Sequence, residues 1–185
     1  RQLFHEVNSQ WTNSLFDAVL PYTRNPNTWV PVYLFFIVFA LINFRRTGIY
    51  WVLGAILTVA SSDIISSWGI KELIYRARPC RDELLSGHIR FLVHYCPVSS
   101  SFVSSHAVNH FALSFFIYLT MKNVLGKWAF LVLVWAFLVS YAQVYVGVHY
   151  PVDVICGSLV GLFIGYVWSK LFRHNFSLQN PALQT

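Results

Sequence analysis

A histidine and an aspartate, His149 and Asp153, stand four positions apart, so a helical chain would bring both to one face. A carboxylate that accepts a hydrogen bond from one imidazole nitrogen fixes the tautomer and leaves the other nitrogen free to attack an electrophile. The structural alternative is an acid that caps a helix beside an interfacial histidine. Pro151 between them suits a first helical turn. The pair is a candidate nucleophile with its orienting acid.

Two basic residues, Lys71 and Arg78, lie seven positions apart, and Pro79 follows them. Seven residues make about two helical turns, so a helix would place both cations on one face. A guanidinium binds phosphate oxygens through a bidentate fork, whereas an ammonium group acts as a point charge. The alternative is that both side chains extend to lipid headgroups from a helix end. The pair predicts an anion site.

A third polar segment precedes an apolar run and contains Ser104, Ser105 and His106. A helix N-terminus presents free backbone N–H groups and the positive end of a dipole. Ser104 can cap such a helix, and the amides of Ser105 and His106 can hold an anion. His106 can donate a proton to a leaving oxygen. The alternatives are a plain N-cap for Ser104 and a contact between helices for His106.

Long apolar stretches must position these residues. Of 185 residues, 56% are hydrophobic and 11% are charged, whereas soluble domains are about a quarter charged. This composition excludes a disordered chain and favours a membrane-embedded, all-α bundle. Because about 20 apolar residues cross a bilayer as a helix, we predict five transmembrane helices, at roughly 29–45, 49–72, 102–121, 127–145 and 151–172.

The two ends of the chain differ from this core. Apolar residues recur every four positions near the start, at Leu3, Val7, Trp11, Leu15 and Val19. This spacing predicts an amphipathic helix over residues 1–22 that lies in the membrane interface, and packing on the bundle is the other interpretation. Residues 174–185 are predicted to form a polar tail. We interpret residues 1–185 as one domain.

Basic residues in the short loops indicate the orientation, since they favour the cytoplasmic side. Five spans place three basic groups on one side: Arg45 with Arg46, Lys122 with Lys127, and Lys170 with Arg173. The three polar segments then lie on the other side, facing the periplasm or the outside of a bacterial inner membrane. Positive charge on that side suggests an anion site. The net charge of +6 therefore indicates lipid phosphate, because nucleic acid would need one basic face.

The three segments together resemble the type 2 phosphatidic acid phosphatase (PAP2) family of membrane lipid phosphatases, in the branch of undecaprenyl diphosphatases. The pattern of that family is KxxxxxxRP, then PSGH, then SRxxxxxHxxxD. The motifs extend over residues 71–153, which is most of the predicted bundle. The residues that match the pattern are, in order, Lys71, Arg78, Pro79, Ser104, His106, His149 and Asp153.

The resemblance implies hydrolysis of lipid phosphates or pyrophosphates without a metal or other cofactor. His149 would attack phosphorus and become a phosphohistidine, Asp153 would orient it, and His106 would protonate the leaving oxygen. The substrates that the resemblance suggests are undecaprenyl pyrophosphate, phosphatidylglycerophosphate and phosphatidic acid, and the oligomeric state stays open. The phosphoryl oxygens would be held by Lys71, Arg78, Ser104, Ser105 and Gln143.

Four positions depart from the pattern: Val103, Ser105, Ala142 and Gln143. Gln143 matters most, because it replaces an arginine and lacks its charge and its fork. One lost donor to a transition state costs about 2.7–4 kcal/mol in a comparable role. Either the site is slow, or another arginine supplies the charge, or the change is an engineered or inactivating one. The candidates for that second possibility are Arg76, Arg81 and Arg90.

Two other functions remain open at this point. Gln143 motivates the first, a catalytically weakened protein that binds or transports lipid phosphates. The second is a metal enzyme, because histidines and an acid of suitable type occur together. Its ligands would be His106, His110, His149 and Asp153.

Two further features bear on how the bundle is held together. Cys80 and Cys96 flank the outer loop, and an oxidising compartment would allow a disulfide between them, with two free thiols as the alternative. Gly157, Gly161 and Gly165 recur every four residues and predict a close-packing face on the last helix. That face would pack inside the bundle or, alternatively, in a dimer.

Overall fold

A computed structural model describes residues 1–85, 87 and 89–178. Long runs of Leu, Val, Ile and Phe form its helices. The all-α prediction is confirmed for these residues, and positions 179–185 of the predicted tail lie outside them. Single turns of π- or 3₁₀-helix connect several of the α-helices. The α-helices are α1 Gln2–His5, α2 Ser14–Thr23, α3 Val30–Ile64, α4 Lys71–Leu73, α5 Ser105–Leu125, α6 Leu131–Tyr145 and α7 Pro151–Asn175.

Two of the long apolar stretches are interrupted. Arg45 inside α3 has φ of 49° and ψ of −120°. Eight residues of straight helix would separate Ala40 from Gly48 by about 12 Å. The two residues are instead in contact, since a Cβ atom on Gly48 would collide with the carbonyl oxygen of Ala40. The chain therefore turns back at Arg45, and Gly126, with φ of 56°, separates α5 from α6. In the part of the chain that the structure describes, three stretches are long and apolar enough to cross a membrane: Pro26–Leu73, Ser105–Tyr145 and Pro151–Asn175. The division into five spans stays a prediction.

The backbones of α5 and α7 meet at the centre of the bundle. A Cβ atom on Gly157 would lie 2.9 Å from the carbonyl oxygen of Ser104. Cβ atoms on Gly161 and Gly165 would collide with carbonyl oxygens of α5. The glycine face predicted from the four-residue spacing therefore packs inside the bundle, against the helix that begins beside Ser104.

Replacing Gly161 by alanine is expected to destabilise the protein, because its methyl group would overlap the Val108 carbonyl oxygen and force the helices apart. Overpacking of this kind costs about 1–3 kcal/mol. Thermal unfolding in detergent micelles measures the effect. Gly69→Ala is the matched control, since its Cβ would meet only the Ile64 carbonyl oxygen, at 4.0 Å. Equal unfolding temperatures for the two variants would contradict the close packing at Gly161.

The single helix predicted over residues 1–22 is wrong in detail, because two helical segments occupy this range. The break falls before Asn13, whose Oδ1 accepts a hydrogen bond from the Phe16 N–H at 2.8 Å and so caps α2. Phe4, Val7 and Leu20 are buried against the bundle. The other apolar residues of the predicted face are exposed, namely Leu3, Trp11, Leu15 and Val19.

The N-terminal segment, residues 1–25, is tied to distant parts of the chain. The Asn8 Nδ2 atom donates to the carbonyl oxygens of Arg90 and Tyr145, each at 2.8 Å. Asp17 accepts hydrogen bonds from the Arg90 guanidinium at 2.5 Å and from the Tyr145 hydroxyl at 2.6 Å. The segment is therefore an integral part of the end of the bundle at which α6 finishes.

The outer loop, of which the structure describes residues 74–85, 87 and 89–104, covers the same end. Cys80 and Cys96 form a disulfide within it, as predicted. The Leu92 N–H donates to the Val146 carbonyl oxygen at 3.3 Å, which joins the loop to the turn between α6 and α7. The loop thus holds Arg78 over that turn.

Candidate active site

The turn between α6 and α7 buries His149. Its Gly147 has φ of 86°, and a Cβ there would lie 2.8 Å from the Arg90 carbonyl oxygen, so both conformation and space require glycine. The backbone N–H groups of Val148 and His149 donate to the Gln143 carbonyl oxygen, each at 3.2 Å. The imidazole of His149 is 2% exposed. The turn therefore presents this ring to the interior of the site.

Asp153 is fully buried in the first turn of α7 and accepts three hydrogen bonds. Its Oδ2 accepts from the Tyr150 N–H at 2.9 Å and from the Ser101 hydroxyl at 2.5 Å. Its Oδ1 accepts from the Arg76 guanidinium at 2.7 Å. A buried carboxylate needs such partners to remain ionised. Asp153 is therefore held as an anion beside His149.

Ser101 lies between the two residues of the predicted pair. The distance from His149 Nδ1 to Asp153 Oδ2 is 3.7 Å, which is too long for a direct hydrogen bond. Ser101 Oγ is 3.4 Å from Nδ1 and donates to the carboxylate. In place of the expected direct bond, Asp153 Oδ2 accepts from the Tyr150 N–H and from the Ser101 hydroxyl. The sequence signal for Ser101 was only a run of serines before α5.

Arg78 is 4% exposed and contacts the other nitrogen of His149. Its Nη1 lies 2.9 Å from His149 Nε2. Because a guanidinium can only donate, Nε2 accepts and Nδ1 carries the ring hydrogen. Burial lowers the pKa of Arg78 to about 10, so it stays charged at neutral pH. Its other donors bind the carbonyl oxygens of Ser99, Ser100 and Val148 and the hydroxyl of Ser99.

The prediction that Lys71 and Arg78 share one helical face is wrong. The helix ends at Leu73, and Ile74 is extended, with φ of −125° and ψ of 100°. The proline that follows Arg78 disfavours a helical conformation there. Both cations nevertheless lie within electrostatic range of His149. Lys71 reaches the site from the end of a helix, and Arg78 reaches it from an extended segment of the outer loop.

We expect His149 to stay neutral far below neutral pH. Burial is the main cause that lowers its pKa to about 4; Arg78 and Lys71 lower it further, and Asp153 opposes them. Histidine NMR of the folded protein should give a midpoint near that value, against about 6.5 in urea. The folded state gains its proton later than the unfolded one, so stability should fall as pH falls between the two midpoints. A folded-state midpoint near the unfolded value would contradict this burial.

The start of α5 brings the second motif to the site. The Ser104 hydroxyl accepts from the Ala107 N–H at 3.5 Å, as an N-cap, and the Ser104 N–H donates to the Asp153 carbonyl oxygen. The Ser105 hydroxyl pairs with serine hydroxyls of the π-helical turn Ile65–Ile70, at 3.1 and 3.2 Å. Both serine hydroxyls thus form hydrogen bonds within the protein. His106 is partly buried and lies within electrostatic range of His149.

Gln143 lies buried on α6 and does not supply a charge. Its Nε2 donates back to the Val139 carbonyl oxygen at 3.4 Å, and its Oε1 has no partner among the described residues. The three arginines considered as substitutes are bonded elsewhere. Arg76 binds Asp153, Arg81 binds the Cys96 carbonyl oxygen, and Arg90 binds Asp17.

The ligand set of the metal-enzyme alternative is not brought together. The His110 Nδ1 lies 2.9 Å from the carbonyl oxygen of His106, and its Nε2 lies 3.4 Å from the Tyr33 hydroxyl. The rings of His106 and His110 are 6.4 Å apart between centroids. Within residues 1–85, 87 and 89–178, no three side chains of metal-ligand type are grouped to hold an ion.

Two known phosphatases are similar in sequence. The lipid A 4'-phosphatase of Bacteroides thetaiotaomicron is 29% identical over 143 residues, which are 76% of this chain and 62% of that protein. The undecaprenyl-diphosphatase of Sulfolobus acidocaldarius is 29% identical over 140 residues, which are 75% and 61% of the two chains. The present chain thus spans about three fifths of the length of these relatives.

A solved structure has the same fold. The PAP2-type phosphatidylglycerolphosphate phosphatase from Bacillus subtilis superposes with a TM-score of 0.74, over 96% of this chain and 87% of that one, at 20% identity. The sequence profile of the PAP2 superfamily matches residues 49–177, which include every motif residue described above. That match covers well over half of the sequence, and the chain belongs to the PAP2 superfamily.

Proposed function

We propose that this chain is an integral membrane phosphatase that hydrolyses lipid phosphates or pyrophosphates through a phosphohistidine on His149. One observation carries the proposal: the buried, neutral imidazole presents Nε2 to the Arg78 guanidinium, while Ser101 and Asp153 hold the opposite nitrogen. A neutral ring with an available lone pair is the form that can attack phosphorus. A cation beside that lone pair marks where an anionic group binds.

The first chemical step follows from this geometry. The incoming phosphoryl group binds the Arg78 guanidinium in place of His149. The Nε2 lone pair of His149 is then free for in-line attack on phosphorus. A nitrogen–phosphorus bond forms as the bond to the lipid oxygen breaks, and His106 passes the proton of the bound phosphoryl monoanion to that oxygen. Asp153 stabilises the positive charge that develops on the ring. Positioning and charge supply most of the catalysis in phosphoryl transfer.

The second step returns the site to its starting state. His106 takes a proton from a water molecule that attacks the phosphohistidine and passes it to a phosphoryl oxygen. The nitrogen–phosphorus bond breaks, inorganic phosphate leaves, and His149 is again neutral. Lys71 and the backbone amides at the start of α5 complete the anion-binding set. No step requires a metal ion.

An apolar cleft supports a substrate with hydrocarbon tails. It has a volume of about 400 Å³ and lies between the N-terminal segment and helices α5, α6 and α7. Its lining includes Val7, Phe111, Phe137, Val154 and Leu159. In the proposed arrangement of five spans, the phosphate enters at the outer face of a bacterial inner membrane while the tails stay in lipid. The single membrane-embedded domain of residues 1–185 is part of this proposal.

The relatives suggest which phosphates to test. Their names add lipid A to the three substrates that the resemblance suggests, undecaprenyl pyrophosphate, phosphatidylglycerophosphate and phosphatidic acid, the first of which the name of one relative also contains. All four present a phosphate or pyrophosphate on a lipid at the membrane surface. We propose this class rather than one member.

Release of inorganic phosphate in detergent micelles tests the function. The four lipids are supplied separately, with and without EDTA. Release that persists in EDTA from at least one lipid is the expected result. Release that EDTA abolishes and zinc restores would contradict the metal-free mechanism. Saturable lipid binding with no release would favour the alternative motivated by Gln143, a lipid-phosphate binding or transport protein.

A further inference from the structure

The anion site as described is one cation short of the family motif. Lys71 and Arg78 face His149, but Gln143 is neutral at the position where the motif has arginine. The three other arginines near the outer loop already bind groups of the protein: Arg76 binds Asp153, Arg81 binds the Cys96 carbonyl oxygen, and Arg90 binds Asp17. The missing charge must come from another part of the chain or remain missing.

The turn after α2 brings Arg24 toward the site. The Trp29 indole donates to the Thr23 carbonyl oxygen at 2.6 Å, which fixes this turn. The Trp29 ring packs on Trp135, with centroids 5.5 Å apart, and Trp135 packs edge-on against His110 at 5.1 Å. His110 follows His106 by one turn of α5. The turn that carries Arg24 is therefore anchored beside the helical face that carries His106.

The charge of Arg24 acts on two residues of the site, His106 and Arg78. Arg24 and Lys71 both lie within electrostatic range of His106. After burial, Arg24 is the largest cause that lowers the pKa of Arg78. Two guanidinium groups within electrostatic range of each other repel, and an anion between them removes the repulsion.

The bonding of Arg24 is also incomplete. Its Nε is buried and has no hydrogen-bond partner among the described residues. Burial lowers the pKa of Arg24, and no carboxylate opposes this effect. A buried guanidinium donor without an acceptor is costly in a folded protein. An incoming phosphoryl oxygen would satisfy this donor and separate the two like charges.

We propose that Arg24 binds the phosphoryl group and supplies, from the N-terminal segment, the charge that the family motif places at position 143. The inference rests on the proposed function and adds a substrate-contacting residue outside the three motifs. Arg24 would approach from the side of His106, while Arg78 approaches from the side of His149. The two guanidinium groups would hold different oxygens of one phosphoryl group.

Kinetics of Arg24 variants test the proposal. Arg24→Ala is expected to lower kcat/KM roughly 100-fold, as loss of one transition-state donor does. Arg24→Lys should keep part of the activity because it retains the charge, and added guanidinium ion should restore part of the activity of Arg24→Ala. Gln143→Arg introduced into Arg24→Ala should also restore activity. Arg46→Ala, an exposed arginine at the turn inside α3, is the matched control.

Several outcomes would overturn the inference. Activity of Arg24→Ala equal to that of the parent would do so. A loss that follows a fall in unfolding temperature, with no recovery by guanidinium ion, lysine or Gln143→Arg, would assign Arg24 a structural role instead.

Binding of inorganic phosphate to the parent and to Arg24→Ala, by calorimetry in detergent, separates this inference from the proposed function. If the parent releases no phosphate from any lipid, the proposed function fails. Weaker phosphate binding by Arg24→Ala would then still support Arg24 as an anion-binding residue. Equal affinity would overturn it.

Discussion

His149→Ala should reduce phosphate release by at least about 10⁴-fold, because it removes the proposed nucleophile. The fold should survive this change, since Arg78 keeps its bonds to the loop carbonyl oxygens and to Val148. Rapid quench of the parent with radiolabelled lipid phosphate, under alkaline conditions, should trap label on the protein. The variant should trap none.

The control for this experiment is His5→Ala, because His5 is an exposed histidine. Its release rate and its trapped label should equal those of the parent. Turnover by His149→Ala within an order of magnitude of the parent would exclude the covalent mechanism. Label trapped in His149→Ala would assign the nucleophile to another residue.

Asp153→Asn should lower kcat by on the order of 10⁴-fold, as in other enzymes in which a carboxylate orients a catalytic histidine. Asparagine removes the negative charge that balances the developing imidazolium. Its amide has only one acceptor atom for the three donors that now bind Asp153, from Tyr150, Ser101 and Arg76. Buried donors left without acceptors should also cost about 1–3 kcal/mol of stability.

Steady-state kinetics and thermal unfolding of the same preparation separate the two effects of Asp153→Asn. Glu83→Gln removes the charge of an exposed acid of the outer loop and should change neither quantity. If Asp153→Asn turned over lipid at the parent rate, the carboxylate would have no part in the chemistry. A large loss of stability with little loss of kcat would limit Asp153 to capping α7.

The chemistry of the site was predictable where it depends on local spacing. His149 and Asp153 lie on either side of a helix start that Pro151 indicates, and they come together through one turn of chain. The apolar runs likewise predict the helices, since length and composition suffice for them. Gly157, Gly161 and Gly165 predict their packing face by periodicity alone.

The remaining site residues depend on contacts that no periodicity describes. Ser101 and Arg76 reach Asp153 because the outer loop folds back in an extended conformation, with the Ser101 N–H bonded to the Arg76 carbonyl oxygen at 2.8 Å. A helical interpretation of that segment placed Lys71 and Arg78 on one face, which is wrong. Arg24 is 47 positions from Lys71, and only the packing of the turn at Trp29 indicates that Arg24 lies near the site.

The ties between the N-terminal segment and the rest of the chain have a consequence for biogenesis. Asn8 donates to carbonyl oxygens 82 and 137 positions further along, and Asp17 accepts from a hydroxyl 128 positions further along. A nascent chain cannot complete these bonds until α6 has been synthesised. The segment that precedes α3 must therefore wait for partners that are made much later. The proposed hydrolytic activity should consequently arise only after α6 and α7 have been made.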